Sequence, residues 1–138
     1  MKVLISACLL GENCKYNGGN NHNPAVIAFA QDKEVIPVCP EMAAGFGRPR
    51  IPMEIVDGRL QNREGVDLHP AMEKAIAQIL EQLKDVQISC AVLKSRSPTC
   101  GVRQVYDGTF SGTLIPGMGL FAAALCEQGI PVVDSEEI

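Results

Sequence analysis

The sequence predicts one α/β domain with a mostly parallel sheet, flanking helices and small β-hairpin insertions. Short apolar runs at residues 3–7, 35–39, 86–93 and 130–134 alternate with helical patterns, which is typical of βα units. The chain has 138 residues, and 46% of them are hydrophobic while only 4% are aromatic. This length and composition indicate a single domain over residues 1–138, packed mainly with aliphatic side chains.

The first half of the chain predicts two strands separated by a long loop and a helix. The run 3–7 predicts a strand covered on both faces. The polar stretch 12–23 predicts a loop, and loops of this length are often functional. Asn23 and Pro24 predict a helix start, as the cap and a first-turn residue. Pro37 lacks a backbone donor, so we expect the second strand, 35–39, at an edge of the sheet.

The second half predicts two hairpins, two helices and two further strands. Asp-Gly turns predict hairpins at residues 54–61 and 105–110. Apolar residues spaced by three and one predict a helix over 70–84, and a small-residue helix is expected over 116–128. Strands are expected at 86–93 and 130–134. Taken together, these elements predict a Rossmann-like arrangement.

The charge balance disfavours large anionic partners. With 12 Lys and Arg against 16 Asp and Glu, the net charge is −4, whereas nucleic-acid polymers and anionic membranes require a basic face. No apolar run approaches the roughly 18 residues of a membrane span. We therefore expect a cytoplasmic protein with reduced thiols and a small-molecule partner, and a homodimer is compatible with the sequence.

Six cysteines are the unusual feature of the composition. Cys8 follows the first predicted strand, Cys39 ends the second and Cys100 lies in the loop after the third. The carboxyl ends of parallel strands meet at one edge of a sheet. These three thiols are therefore expected at a shared site. Cys14 lies in the long loop close to Cys8, and its role is open. The remaining two, in the strand 86–93 and the helix 116–128, are expected to be buried core residues: Cys90 and Cys126.

Several chemistries suit three clustered thiols. The absence of a C-x-x-C motif disfavours a zinc knuckle and a thioredoxin-like pair, and only two histidines are present to act as a base. Three cysteines could instead hold an iron–sulfur cube and leave one iron open. The alternatives are a non-enzymatic metal or sulfur carrier, and a cluster-free enzyme that uses Cys14 or Cys39.

An ordered set of motifs spans nearly the whole chain and resembles the family known as domain of unknown function 523. Each motif alone is weak, whereas their order is specific. The segments that carry the resemblance are Ser6-Ala7-Cys8-Leu9-Leu10-Gly11, Cys14-Lys15-Tyr16-Asn17-Gly18-Gly19, Pro37-Val38-Cys39-Pro40-Glu41, Pro49-Arg50-Ile51-Pro52-Met53-Glu54-Ile55, Asn62-Arg63-Glu64-Gly65, Lys94-Ser95-Arg96-Ser97-Pro98-Thr99-Cys100-Gly101 and Tyr106-Asp107-Gly108-Thr109-Phe110.

The resemblance implies a desulfidase with a [4Fe-4S] cluster, which preparation in air can degrade. Its ligands would be Cys8, Cys39 and Cys100, and the open fourth iron would take sulfur from a thiolated pyrimidine such as 2-thiouracil, giving uracil and sulfide. The implied partner is thus a small thiolated nucleobase. The chain departs from the usual family pattern at Lys15, Asn17 and Thr99, where Arg, Asp and Ser are common; Asn17 removes a carboxylate from the first loop.

Such a reaction needs proton transfer but no net redox change. Glu41, two residues after Cys39, is the candidate general acid and base. Ser97, three residues before Cys100, is the candidate for hydrogen bonding or for positioning water. The residues expected to contact the substrate or orient the loops are Cys14, Asn17, Arg50 and Lys94.

Overall fold

A four-stranded parallel sheet forms the centre of the molecule in a computed structural model that describes residues 1–138. The strands of this sheet are β1 (Lys2–Ser6), β2 (Glu34–Val38), β5 (Cys90–Leu93) and β8 (Val132–Asp134). The strand order is β2-β1-β5-β8, so each of the two central strands, β1 and β5, has a hydrogen-bonded neighbour on both sides. Pro37 lies on the edge strand β2, as predicted.

Four α-helices accompany the sheet: α1 (Pro24–Ala30), α2 (Pro40–Ala43), α3 (His69–Leu83) and α4 (Leu120–Glu127). The Asn23 side chain accepts hydrogen bonds from Ala25 N and Val26 N, which confirms the predicted cap of α1. The larger apolar core packs α3 and α4 against β1 and β5, through residues such as Leu4, Met72 and Phe121. A smaller cluster covers the opposite side of the sheet.

Two antiparallel hairpins lie outside the central sheet. The first joins β3 (Met53–Val56) to β4 (Arg59–Asn62) through the predicted Asp57-Gly58 turn. The second joins β6 (Gln104–Tyr106) to β7 (Leu114–Pro116). Short 3-10 helices follow β1 and β8 of the parallel sheet, at Ala7–Leu10 and Ser135–Glu137. The predicted fold class, a mostly parallel α/β sheet with hairpin insertions, is confirmed.

Three predicted boundaries were wrong. Strand β5 begins at Cys90 instead of residue 86, because Val86 N donates to the Leu83 carbonyl and therefore belongs to the turn that ends α3. The second hairpin turns over residues 107–113, wider than the Asp107-Gly108 turn, so Phe110 is not in a strand. Pro116 ends β7, and the last helix begins only at Leu120.

The expectation that Cys126 is buried was also wrong. Helix α4 buries Phe121, Ala122 and Leu125. Cys126 follows Leu125 directly and is therefore turned about 100° around the helix axis, where it is exposed. Cys90 is half-buried and not fully buried. No helix is both long enough and apolar enough to cross a membrane.

Candidate functional site

A cavity of about 500 Å³ opens where β1, β2 and β5 end. Four of the six cysteines line it: Cys8, Cys14, Cys39 and Cys100. The cavity also receives walls from both hairpins, through residues such as Glu54 and Phe110. The three cysteines predicted to meet at the sheet edge therefore do so, and the loop cysteine joins them.

Cys8 enters the cavity from the 3-10 helix that follows β1. Gly11 ends this helix in the left-handed region, with φ of 97°, and its N–H donates to the Cys8 carbonyl. The same carbonyl accepts from Asn21 N, which folds the long loop back over the thiol. Burial raises the pKa of the Cys8 thiol, and the nearby Cys39 raises it further, while Lys94 opposes this effect.

Cys39 and Cys14 line the cavity from two different connecting segments. Cys39 directly follows β2 and occupies the position before the first turn of α2. Cys14 belongs to the long loop and is 4% exposed. Burial raises the pKa of the Cys14 thiol to about 12, and the neighbouring Cys39 thiol acts in the same direction. Because its pKa is raised, the Cys14 thiol is protonated near neutral pH, and a bound metal or a nearby cation would favour the thiolate.

Cys100 lies on the loop after β5, and the Ser97 side chain shapes that loop. The Ser97 Oγ accepts hydrogen bonds from Thr99 N at 3.1 Å and from Cys100 N at 3.0 Å. The Thr99 hydroxyl lies 3.9 Å from the Cys100 Sγ. Burial raises the pKa of the Cys100 thiol to about 12. Ser97 thus both lines the cavity and fixes the backbone that carries this thiol.

Glu41 and Arg50 form a buried ion pair in the cavity wall. Arg50 Nη2 donates to Glu41 Oε2 at 2.9 Å and to the Cys14 carbonyl at the same distance. Its Nη1 donates to the Gly47 carbonyl. One guanidinium therefore ties α2 to the Cys14 loop. Desolvation raises the pKa of Glu41, whereas the Arg50 charge lowers it.

The other two predicted substrate contacts differ in position. Lys94 lines the cavity, and its Nζ donates to the Ser95 carbonyl and hydroxyl. Burial lowers the pKa of Lys94. Asn17 is exposed and does not line the cavity. Its side-chain oxygen accepts the N–H of Gly19 instead, so it stabilises the loop that carries Cys14.

Sequence reasoning missed three residues of the cavity wall. Ser6 ends β1, and its Oγ accepts the backbone N–H of Lys94. Glu54 is buried on β3 and accepts from Gly108 N and Phe110 N. Phe110 has a φ of 58°, a conformation that costs an aromatic residue on the order of 1–3 kcal/mol. All three residues lie within the motifs that carry the family resemblance, but only their contacts in the fold show what they do.

The donor chemistry of the cavity fits an iron–sulfur cluster. Iron–sulfur clusters bind cysteine thiolates, and four buried or half-buried thiols line this one cavity. Arg50 Nε is buried and has no hydrogen-bond partner. Its N–H is therefore free to donate to the sulfide of a cluster or to a sulfur-containing ligand. No three His, Cys, Asp or Glu side chains are close enough together to hold a single metal ion.

Comparison with known proteins agrees with this geometry. The family model described as 2-thiouracil desulfurase matches residues 3–137. The uncharacterized protein YbbK of Bacillus subtilis (strain 168) is 33% identical in an alignment that covers 99% of this chain and 97% of that protein. A solved structure described as the [4Fe-4S]-dependent thiouracil desulfidase TudS (DUF523Vcz) superposes with a TM-score of 0.91 at 29% identity, covering 99% of this chain and 92% of that one. The chain belongs to the 2-thiouracil desulfurase family.

Proposed function

We propose that this protein is a [4Fe-4S]-dependent desulfidase that removes sulfur from a thiolated pyrimidine such as 2-thiouracil. The observation that carries the proposal is the meeting of Cys8, Cys39 and Cys100 at one cavity, in a chain of the 2-thiouracil desulfurase family. In the overall reaction water supplies oxygen to the thiocarbonyl carbon and sulfur leaves as hydrogen sulfide. No electrons are gained or lost, so no external reductant is needed.

The cluster would be held by Cys8, Cys39 and Cys100. When bound, it would supply an iron atom with an open position that accepts the soft sulfur of the substrate. The protein excludes most solvent from Cys100, which is 4% exposed, and part of the solvent from Cys8 and Cys39, which are half-buried. Ser97 contributes by holding the Cys100 backbone, through the two N–H groups that its Oγ accepts.

Glu41 is our candidate for proton transfer. Its carboxylate lines the same cavity as the three thiols, and the hydrogen bond from Arg50 fixes one oxygen. Ser97 is the candidate for positioning water, since its hydroxyl also lines the cavity. Lys94 and Cys14 line the cavity and are our candidates for contact with the pyrimidine, whereas Arg50 and Asn17 are our candidates for holding the loops around it. The cytoplasmic location stays a prediction of the sequence.

Anaerobic reconstitution tests the proposal directly. We expect about four iron and four sulfide per chain, broad visible absorbance, and sulfide release from 2-thiouracil. Replacing Cys8, Cys39 or Cys100 with Ala should remove most of the iron, whereas Cys126→Ala should not, because Cys126 is exposed and does not line the cavity.

The alternatives give different results in the same experiment. A full cluster without sulfide release would favour a metal or sulfur carrier. A colourless, iron-free protein that still releases sulfide would favour a cluster-free cysteine enzyme. An alanine variant of one of the three cysteines that keeps its iron would refute the assignment of that ligand.

A further inference from the structure

Phe110 lies in a strained segment of the cavity wall that the proposed reaction does not use. The residue belongs to the Tyr106-Asp107-Gly108-Thr109-Phe110 motif, and its half-buried ring lines the cavity. With φ at 58°, Phe110 adopts a left-handed backbone conformation that bulky side chains avoid. Strain of this kind persists only where surrounding contacts enforce it, and it concentrates at functional sites.

The enforcing contact is the buried carboxylate of Glu54. Its Oε1 accepts hydrogen bonds from Gly108 N at 2.9 Å and from Phe110 N at 3.1 Å. Gly108 also packs closely on the first hairpin, since a Cβ there would lie 2.6 Å from the Ile55 carbonyl oxygen. The loop 107–113 is therefore held against β3 at two neighbouring residues, Glu54 and Ile55, and this sets the position of Phe110.

The environment of the ring suits a flat heteroaromatic ligand. The Arg63 guanidinium lies over the ring, 6.0 Å from its centroid, and Arg63 also lines the cavity. Nucleobases stack on aromatic side chains through their π-faces, largely without regard to the identity of the base. A ring fixed in the wall of a cavity that also holds the thiols is placed for such contact.

We infer that Phe110 is the stacking platform for the pyrimidine ring of the substrate, and that Glu54 is the residue that positions it. This inference rests on the proposed function, because it assumes a planar heteroaromatic substrate. It assigns Phe110 to binding and not to the chemical step. Loss of the ring should therefore weaken substrate binding while the rate of the bound complex stays similar.

The test compares steady-state kinetics of 2-thiouracil for the reconstituted holoprotein and its variants. Phe110→Leu, which keeps apolar volume but removes the ring, should raise KM about tenfold and change kcat less than about threefold. Phe110→Tyr should show a KM between those of the parent and Phe110→Leu. Phe29→Leu is the matched control, because Phe29 is also half-buried beneath a cation, Lys33 at 4.1 Å, but does not line the cavity.

Iron content is measured for each variant, so that a damaged site is separated from weaker stacking. If Phe110→Leu loses iron, Phe110→Met provides the second ring-free variant. An unchanged KM, or a fall confined to kcat, overturns the stacking role and leaves the desulfidase proposal intact. A parent protein with a full cluster and no sulfide release overturns the proposed function, and this inference falls with it.

Discussion

The buried pair of Glu41 and Arg50 shows how single residues hold this site together. The Arg50 side chain is 6% exposed and the Glu41 side chain 17%, so the two charges interact with little solvent screening. Arg50 also binds the carbonyls of Cys14 and Gly47, which joins three chain segments. Removing one member of such a pair leaves an uncompensated buried charge and typically costs about 3–5 kcal/mol.

Glu41→Gln keeps an acceptor for the Arg50 hydrogen bond but removes the negative charge and the proton-transfer group. The Gln side chain keeps an oxygen that can accept from Arg50 Nη2 but cannot deliver a proton. We expect iron content to stay close to that of the parent and sulfide release to fall by about 10²- to 10⁴-fold, the usual contribution of general acid–base catalysis. Full turnover of Glu41→Gln with the cluster in place would exclude Glu41 as the proton-transfer group.

Asp67→Asn is the control for the loss of a carboxylate. Asp67 pairs with Arg59 at 2.8 Å but is exposed and lies outside the cavity. An exposed ion pair contributes about 0–1 kcal/mol. Thermal unfolding of both variants, measured beside the activity, shows whether the Glu41 variant has lost stability as well as function.

At the level of elements, the start of helix α4 is fitted against the loop that carries Cys100. Phe121 N and Ala122 N donate to the Thr99 carbonyl, and Leu120 N donates to the Pro98 carbonyl. Gly119 precedes the helix, and a Cβ there would lie 2.4 Å from the Thr99 carbonyl carbon. Only a glycine fits at this distance, because the neighbouring atoms belong to the backbone and cannot rotate away.

Gly119→Ala should therefore disturb the thiol loop through packing alone. The backbone of Gly119, with φ of −68° and ψ of 163°, is open to any residue, so no conformational strain is added. Overpacking of this kind costs about 1–3 kcal/mol, and the displaced loop should lower the iron content after reconstitution. Gly117→Ala is the matched control, since its Cβ would meet only the Val105 side chain at 3.4 Å. Equal iron content and unfolding temperature in the two variants would contradict this account.

The elements that could be predicted are those whose signals are local. The cap at Asn23 and the Asp57-Gly58 turn depend on neighbouring residues, and both are found where the sequence places them. The turn of the second hairpin is wider than predicted because the Glu54 carboxylate, which is distant in sequence, accepts hydrogen bonds from Gly108 N and Phe110 N. These contacts outweigh the local preference for a tight Asp-Gly turn. Helix α4 begins later than predicted because Gly119 packs against the backbone of Thr99, 20 positions earlier in the chain.

At the scale of the whole molecule, parallel topology explains why the cysteines could be grouped in advance. Strands β1, β2 and β5 run in one direction, so the residues after them reach the same edge even though they are far apart in sequence. The positions of Glu54, Arg63 and Phe110 could not be foreseen, since the hairpins that carry them lie outside the central sheet. Their packing depends on side-chain contacts between hairpins, which no periodicity encodes.

The six thiols together provide a readout of the whole site. Alkylation requires a thiolate that the reagent can reach. In metal-free protein we expect Cys126, which is exposed, to react first, and Cys14 and Cys100, which are each 4% exposed, to react last. Burial also raises the pKa of both Cys14 and Cys100 to about 12, so both thiols stay largely protonated at the pH of the reaction.

Reconstitution should change this order only inside the cavity. Cys8 and Cys39 are half-buried, so they should react in the metal-free protein and become protected once the cluster occupies their sulfur atoms. Cys126 should react at the same rate in both forms, which makes it an internal control in each sample. Mass spectrometry of peptides after timed exposure to iodoacetamide measures all six positions at once. If Cys8 and Cys39 stay as reactive in iron-loaded protein as in metal-free protein, the cluster is held elsewhere, because a thiolate bound to iron is not free to attack the reagent.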